Sequence, residues 1–66
     1  MQILLNGWPE DTQPDQSLAD LIDRLGEFDP ALIVELNGRF VYPDKYGSTK
    51  VQEGDKVELI HAAFGG

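Results

Sequence analysis

The sequence predicts one α+β domain, a single main helix packed on a mixed sheet of four to five strands. Three observations carry that prediction. Leu18, Leu21, Ile22 and Leu25 recur at helical spacing, whereas the other apolar stretches alternate with period two. Two Asn-Gly pairs, Asn6-Gly7 and Asn37-Gly38, mark tight hairpins, because both central residues of such turns need positive φ. The 66 residues allow one core and no second domain. A chain of this size buries only about 60% of the surface its unfolded form exposes.

The elements follow in order. Met1, Ile3 and Leu5 alternate with Gln2, Leu4 and Asn6, the pattern of a half-buried strand. After the Asn6-Gly7 turn, Trp8 to Gln13 forms the return strand, and Pro9 marks it as an edge strand or one that starts late. Ser17 is the N-cap of the helix, with Asp20 three residues on approximating a capping box. The helix spans Leu18 to Leu25, keeps Asp20, Asp23 and Arg24 on its wet side, and closes at Gly26. Ala31 to Leu36 is a strand with Leu32, Val34 and Leu36 inward and Ile33 and Glu35 outward. Arg39 to Tyr42 returns from the second hairpin, and Pro43 to Gly47 makes a helical turn or loop. Glu53-Gly54-Asp55 is a turn, and Lys56 to His61 the last strand, with Val57 and Leu59 inward and Glu58 and Ile60 outward. The first and last strands are the most apolar, which places both centrally. Joined through the helix crossover they can pair in parallel, the β-grasp (ubiquitin-like) topology. Residues 1–61 form that domain, and 62–66 a flexible tail ending in Gly-Gly.

Composition narrows the function. Twelve acidic against five basic residues give a net charge of −7, which repels nucleic acid and anionic membranes and attracts a basic docking face. The same charge also maintains solubility. Cysteine is absent, which removes disulfides, thiolate metal sites and thiol nucleophiles. The lone histidine, His61, cannot build a metal site. No apolar run reaches spanning length, and Met1-Gln2-Ile3-Leu4-Leu5 opens without a basic segment or cleavage site, so the cytoplasm is the expected location. So small a domain has no room for both a core and an enclosed catalytic pocket. The expected class is a carrier or binding module, not an enzyme, and a monomer when free.

The tail, Ala62-Ala63-Phe64-Gly65-Gly66, carries the sharpest chemical signal. Two residues without Cβ can thread a channel where a larger residue would clash. A terminal glycine carboxylate has an unhindered acyl carbon and is ionised at neutral pH. It is suited to attack the α-phosphate of ATP and form an acyl adenylate that a second nucleophile then opens. Nothing in the chain performs that activation, since no phosphate-binding glycine loop of the G-x-x-x-x-G-K-[ST] type occurs. A partner enzyme is implied, with this chain as its substrate.

Taken together, the Met1-Gln2-Ile3 strand with Asn6-Gly7, the Ser17-Leu18-Ala19-Asp20-Leu21-Ile22 helix start, Val34-Glu35-Leu36-Asn37-Gly38 with Pro43 after it, Gly54-Asp55-Lys56-Val57-Glu58-Leu59 and the closing Gly65-Gly66 resemble the ThiS family of thiamine-biosynthesis sulfur carriers. The resemblance spans the whole chain. It implies that a ThiF-type adenylyltransferase activates the terminal glycine with ATP and magnesium, that this chain binds no cofactor itself, and that sulfur relayed through a persulfide makes a thiocarboxylate. A ThiG-type thiazole synthase then receives the sulfur. On this reading Gly66 is the covalent site and Gly65 its flexible neighbour. Phe64 is bulkier than the small or aliphatic residue expected before the diglycine; it anchors the tail in an apolar groove of a partner or matches a differently shaped activating enzyme.

Three alternatives stay open at this level. The small subunit of molybdopterin synthase and a cysteine-biosynthesis carrier share the chemistry, and a ubiquitin-like modifier would end in an isopeptide bond. Among other residues, Leu4, Ile33 and Ile60 point away from the helix and are expected to form one exposed apolar patch for partner docking. Trp8, Phe28 and Phe40 read as core or rim aromatics. Asp20, Asp23 and Glu27 read as a solvated helix face, and His61 as an exposed strand residue without a catalytic role.

Overall fold

The computed structural model describes residues 1–61. Its elements are β1 (Gln2–Leu5), β2 (Trp8–Asp11), α1 (Leu18–Leu25), β3 (Leu32–Leu36), β4 (Arg39–Val41), a 3₁₀ helix (Pro43–Ser48) and β5 (Lys56–His61). The five strands form one sheet in the order β2-β1-β5-β3-β4. β1 and β5 pair in parallel at its centre, and the remaining pairs are antiparallel. This is the α+β, β-grasp arrangement the sequence predicts.

Both hairpins turn where the Asn-Gly pairs stand. Asn6 and Gly7 have φ of 50° and 86°, and Asn37 and Gly38 have 52° and 81°. These turns fix the registers Leu5↔Trp8 and Leu36↔Arg39. Register matters because a one-residue slip would turn a whole strand's apolar set to the wrong face. As paired, Ile3, Val34, Val57 and Leu59 all point beneath α1 and are buried.

The helix is closed at both ends by its own sequence. The Asp20 N–H donates to Ser17 Oγ and the Ser17 N–H to Asp20 Oδ2, both at 3.1 Å, a reciprocal capping box. Those bonds hold the Asp20 carboxyl below the ordinary carboxylate range, the Ser17 backbone N–H being the largest cause. Gly26 takes the left-handed conformation, and the Gly26 and Glu27 N–H groups reach back to Asp23 and Ile22 carbonyls at 3.0 and 3.1 Å.

Leu18, Leu21 and Ile22 fill the core together with Leu32 and Val51. Val51 lies in a stretch whose sequence offers no periodicity. Backbone bonds stitch that stretch to the start of the helix: Leu18 N–H to Thr49 carbonyl (2.9 Å) and Val51 N–H to Gln16 carbonyl (2.8 Å). Buried Thr12 donates its hydroxyl to Gln16 Oε1, and among the described residues no buried polar side-chain atom lacks a partner.

Several boundaries differ from the sequence expectation. β2 stops at Asp11 rather than Gln13, because after one more bond from the Thr12 N–H to Met1 the chain meets Pro14, which has no N–H to give. β3 begins at Leu32, not Ala31, and β4 ends at Val41, since Pro43 opens the 3₁₀ helix. The aromatics need a larger correction. Trp8, Phe28 and Phe40 are not core residues; they are 76%, 73% and 49% exposed. Trp8 stands on the edge strand β2, beyond a helix only about 12 Å long; Phe40 lies on the face of the sheet away from that helix, and Phe28 on the connection between α1 and β3.

Two stability predictions follow. Leu21→Ala empties a fully buried site and should cost roughly 2–5 kcal/mol in urea melts, whereas Trp8→Ala should leave the midpoint nearly unchanged. Asp20→Asn should lower the melting temperature at pH 7. The Asp20 pKa is depressed on folding, so its contribution is present above its unfolded value of 3.8 and fades as pH falls through the lower folded value. The gap between wild type and Asp20→Asn in thermal melts should therefore close in strong acid.

Candidate functional site

β5 occupies the centre of the sheet and ends at His61, the last described residue before the Gly-Gly segment. Asn6, at the tip of the β1–β2 hairpin, clamps one side. Its N–H donates to the Val57 carbonyl (2.9 Å), and its Oδ1 accepts from the Leu59 N–H (2.8 Å). The side chain thereby continues the parallel pairing beyond the last residue of β1.

On the other side, β3 pairs with β5 as far as Leu32↔His61. The connection between α1 and β3 folds over this end. Glu27 Oε2 lies 2.9 Å from His61 Nε2, and Asp29 Oδ2 lies 3.5 Å from His61 Nδ1. Asp29 is itself fixed, its Oδ1 accepting from the Ala31 N–H at 2.9 Å. That backbone bond, and then His61, hold the Asp29 carboxyl below the usual range. Glu27 is therefore not merely part of a solvated helix face, and His61, although exposed, is bracketed by two carboxylates. Sequence reasoning missed this cluster because His61 stands more than thirty residues from both partners and no local pattern links them.

The open face of the sheet carries the expected docking residues, but not as one patch. Ile33 and Ile60 stand directly opposite one another. Leu4 is opposite Lys56 and Pro9. Lys56 and Ile60 are four residues apart on one strand, about 13 Å, with Glu58 between them. Leu4 thus belongs to a separate site. The residues that do extend the Ile33–Ile60 pair are aromatic. Phe40 is opposite Glu35 on the same face and meets Tyr42 edge to face, with ring centroids 4.7 Å apart. The alternation Phe40, Tyr42 was the signal for this. Glu35 and Glu58 sit opposite each other within the same surface and make its border acidic.

Gly66, Gly65 and Phe64, the residues assigned to the chemistry and to the tail, lie outside the described residues. Among the described residues no group of histidine and carboxylate side chains is placed to hold a metal ion, and no helix is long and apolar enough to cross a membrane.

Against known proteins, the model of the ThiS family matches residues 3–66. The chain belongs to the ThiS family. The ThiS thiamine biosynthesis protein of Geobacter metallireducens has the same fold: its crystal structure superposes with a TM-score of 0.88 at 28% identity, covering both chains completely. Its solution structure gives 0.79 at 30% identity, over all of this chain and 88% of that one. A thiazole synthase of Magnetococcus marinus is 35% identical over 66 residues, and this ThiS-family chain spans only 20% of that protein's length.

Asn6→Gly preserves the positive φ of the turn and deletes the acceptor for the Leu59 N–H. It should speed hydrogen exchange at Leu59 by the few-fold that a bond of about 1 kcal/mol represents, while exchange at Val34 stays near wild type.

Proposed function

We propose that this chain is a sulfur carrier whose reagent is the carboxylate of Gly66, and that it supplies sulfur for thiazole formation in thiamine biosynthesis. Family membership over residues 3–66, a match that reaches the diglycine, carries the reading. On this reading the β-grasp body is a handle, and its central strand β5 immediately precedes in sequence the segment that bears the reagent.

The chemistry is external to the chain. A Gly66 carboxylate oxygen attacks the α-phosphorus of ATP and pyrophosphate leaves, giving an acyl adenylate. A sulfur nucleophile then adds to the acyl carbon and AMP departs. If that nucleophile is a persulfide, a thiol cleaves the remaining S–S bond, becoming the other half of a new disulfide, and a thiocarboxylate is left. A ThiF-type adenylyltransferase holds ATP and magnesium for the first step. The protein itself is a substrate and not an enzyme, and it works in the cytoplasm. A thiazole synthase as acceptor is supported by the relative of that name, in which a segment like this chain is part of the protein. The charge of −7 favours partners with basic docking faces.

Intact-mass spectrometry tests the reading. After incubation with ATP, a sulfur source and an adenylyltransferase of this type, one oxygen should be exchanged for one sulfur. Removing Gly65 and Gly66 should abolish the exchange and leave the thermal melt unchanged. Attachment to lysines of other proteins would instead mark a modifier, and thiazole formation by the truncated chain would sink the proposal.

A further inference from the structure

Phe28, like Trp8 on the edge strand, is a large apolar side chain that belongs neither to the core nor to the sheet's open face. It is 73% exposed, on the connection between α1 and β3. Its neighbours in sequence, Glu27 and Asp29, both contact His61 at the end of β5. Phe28 thus lies on a short segment whose two flanking residues both contact His61, the last residue of β5. Exposing a phenylalanine on such a segment gives up burial that the same residue in a core would contribute.

We propose that Phe28 is a docking anchor for the enzyme that adenylates Gly66, seated in an apolar recess beside the mouth of that enzyme's channel. The proposal rests on the sulfur-carrier reading and adds to it a residue of this chain that binds the activating partner. Two observations select this occupant. The first is reach. Gly66 stands five positions beyond His61, at most roughly 17 Å of extended chain, so an enzyme acting on Gly66 must bring its surface close to the end of β5. Phe28 lies within that footprint.

The second is charge. Glu27 and Asp29 flank Phe28, and Glu58 and Glu35 stand on the adjoining open face. An enzyme that binds the triphosphate of ATP carries a positive site, and its field meets this acidic end favourably. Aromatic side chains, phenylalanine included, are enriched at protein interfaces relative to the rest of the surface.

The test compares wild type with Phe28→Ala and Phe28→Leu in ATP–pyrophosphate exchange with the adenylating enzyme, with the carrier as the varied substrate. Phe28→Ala should raise KM about tenfold or more, in keeping with the loss of a buried aromatic contact, and leave kcat unchanged. Phe28→Leu should recover most of the loss, and neither variant should shift the thermal melt. An unchanged KM for Phe28→Ala would overturn the proposal while leaving the sulfur-carrier reading intact. So would normal adenylation paired with impaired delivery to thiazole synthase, which would assign Phe28 to the acceptor. A wild-type dimer in sedimentation that Phe28→Ala dissociates would assign it to a second copy, again overturning the proposal. If wild type itself is never adenylated, the carrier reading fails and this proposal fails with it.

Discussion

The parallel pairing of β1 with β5 is the constraint on which the rest of the structure depends. It joins the two ends of the domain, more than fifty residues apart, through Leu4 N–H to Asp55 carbonyl and Asn6 N–H to Val57 carbonyl, both 2.9 Å. Closing so long a loop costs entropy before any contact repays it. The return comes from burial: Ile3, Val57 and Leu59 lie under the helix, with Val34 beside them from β3. Because β5 is central and not an edge strand, it is bonded along one side by Asn6 and its last residue, His61, is contacted by Glu27 and Asp29.

A second consequence follows from size. One eight-residue helix covers one face of the five-stranded sheet and leaves the other face, the edge strand β2 and the α1–β3 connection bare. Trp8, Phe28, Phe40, Tyr42 and Ile60 are all exposed. In a larger domain a second helix would shield them. Here the open face and the end of β5 keep an apolar surface edged with carboxylates, which suits a domain that is handled by other proteins.

The division of labour is consistent with the composition. A chain without cysteine, with one histidine already engaged by two carboxylates, holds little side-chain chemistry of its own. Its buried polar side chains are satisfied internally, as with Ser17 in the capping box and Thr12 on Gln16.

Local signals were legible in the sequence because their physics is local. The helix bounds Leu18–Leu25, the Ser17–Asp20 box and both Asn-Gly turns depend on residues within three or four positions of one another. The central placement of β1 and β5 was also readable, since strands buried on one face and flanked on both edges need strongly apolar patterns. What the sequence could not decide was which distant residues meet. Glu27 and Asp29 reach His61 only because β3 and β5 pair in one register. Leu4 separates from Ile33 and Ile60 because Leu4 pairs at the beginning of β5, opposite Lys56, and Ile33 near its end, opposite Ile60. Aromatic residues look alike in a sequence whether covered or bare. Which face, edge or connection each one occupies relative to the single helix left Trp8, Phe28 and Phe40 in water, and that placement exists only in three dimensions.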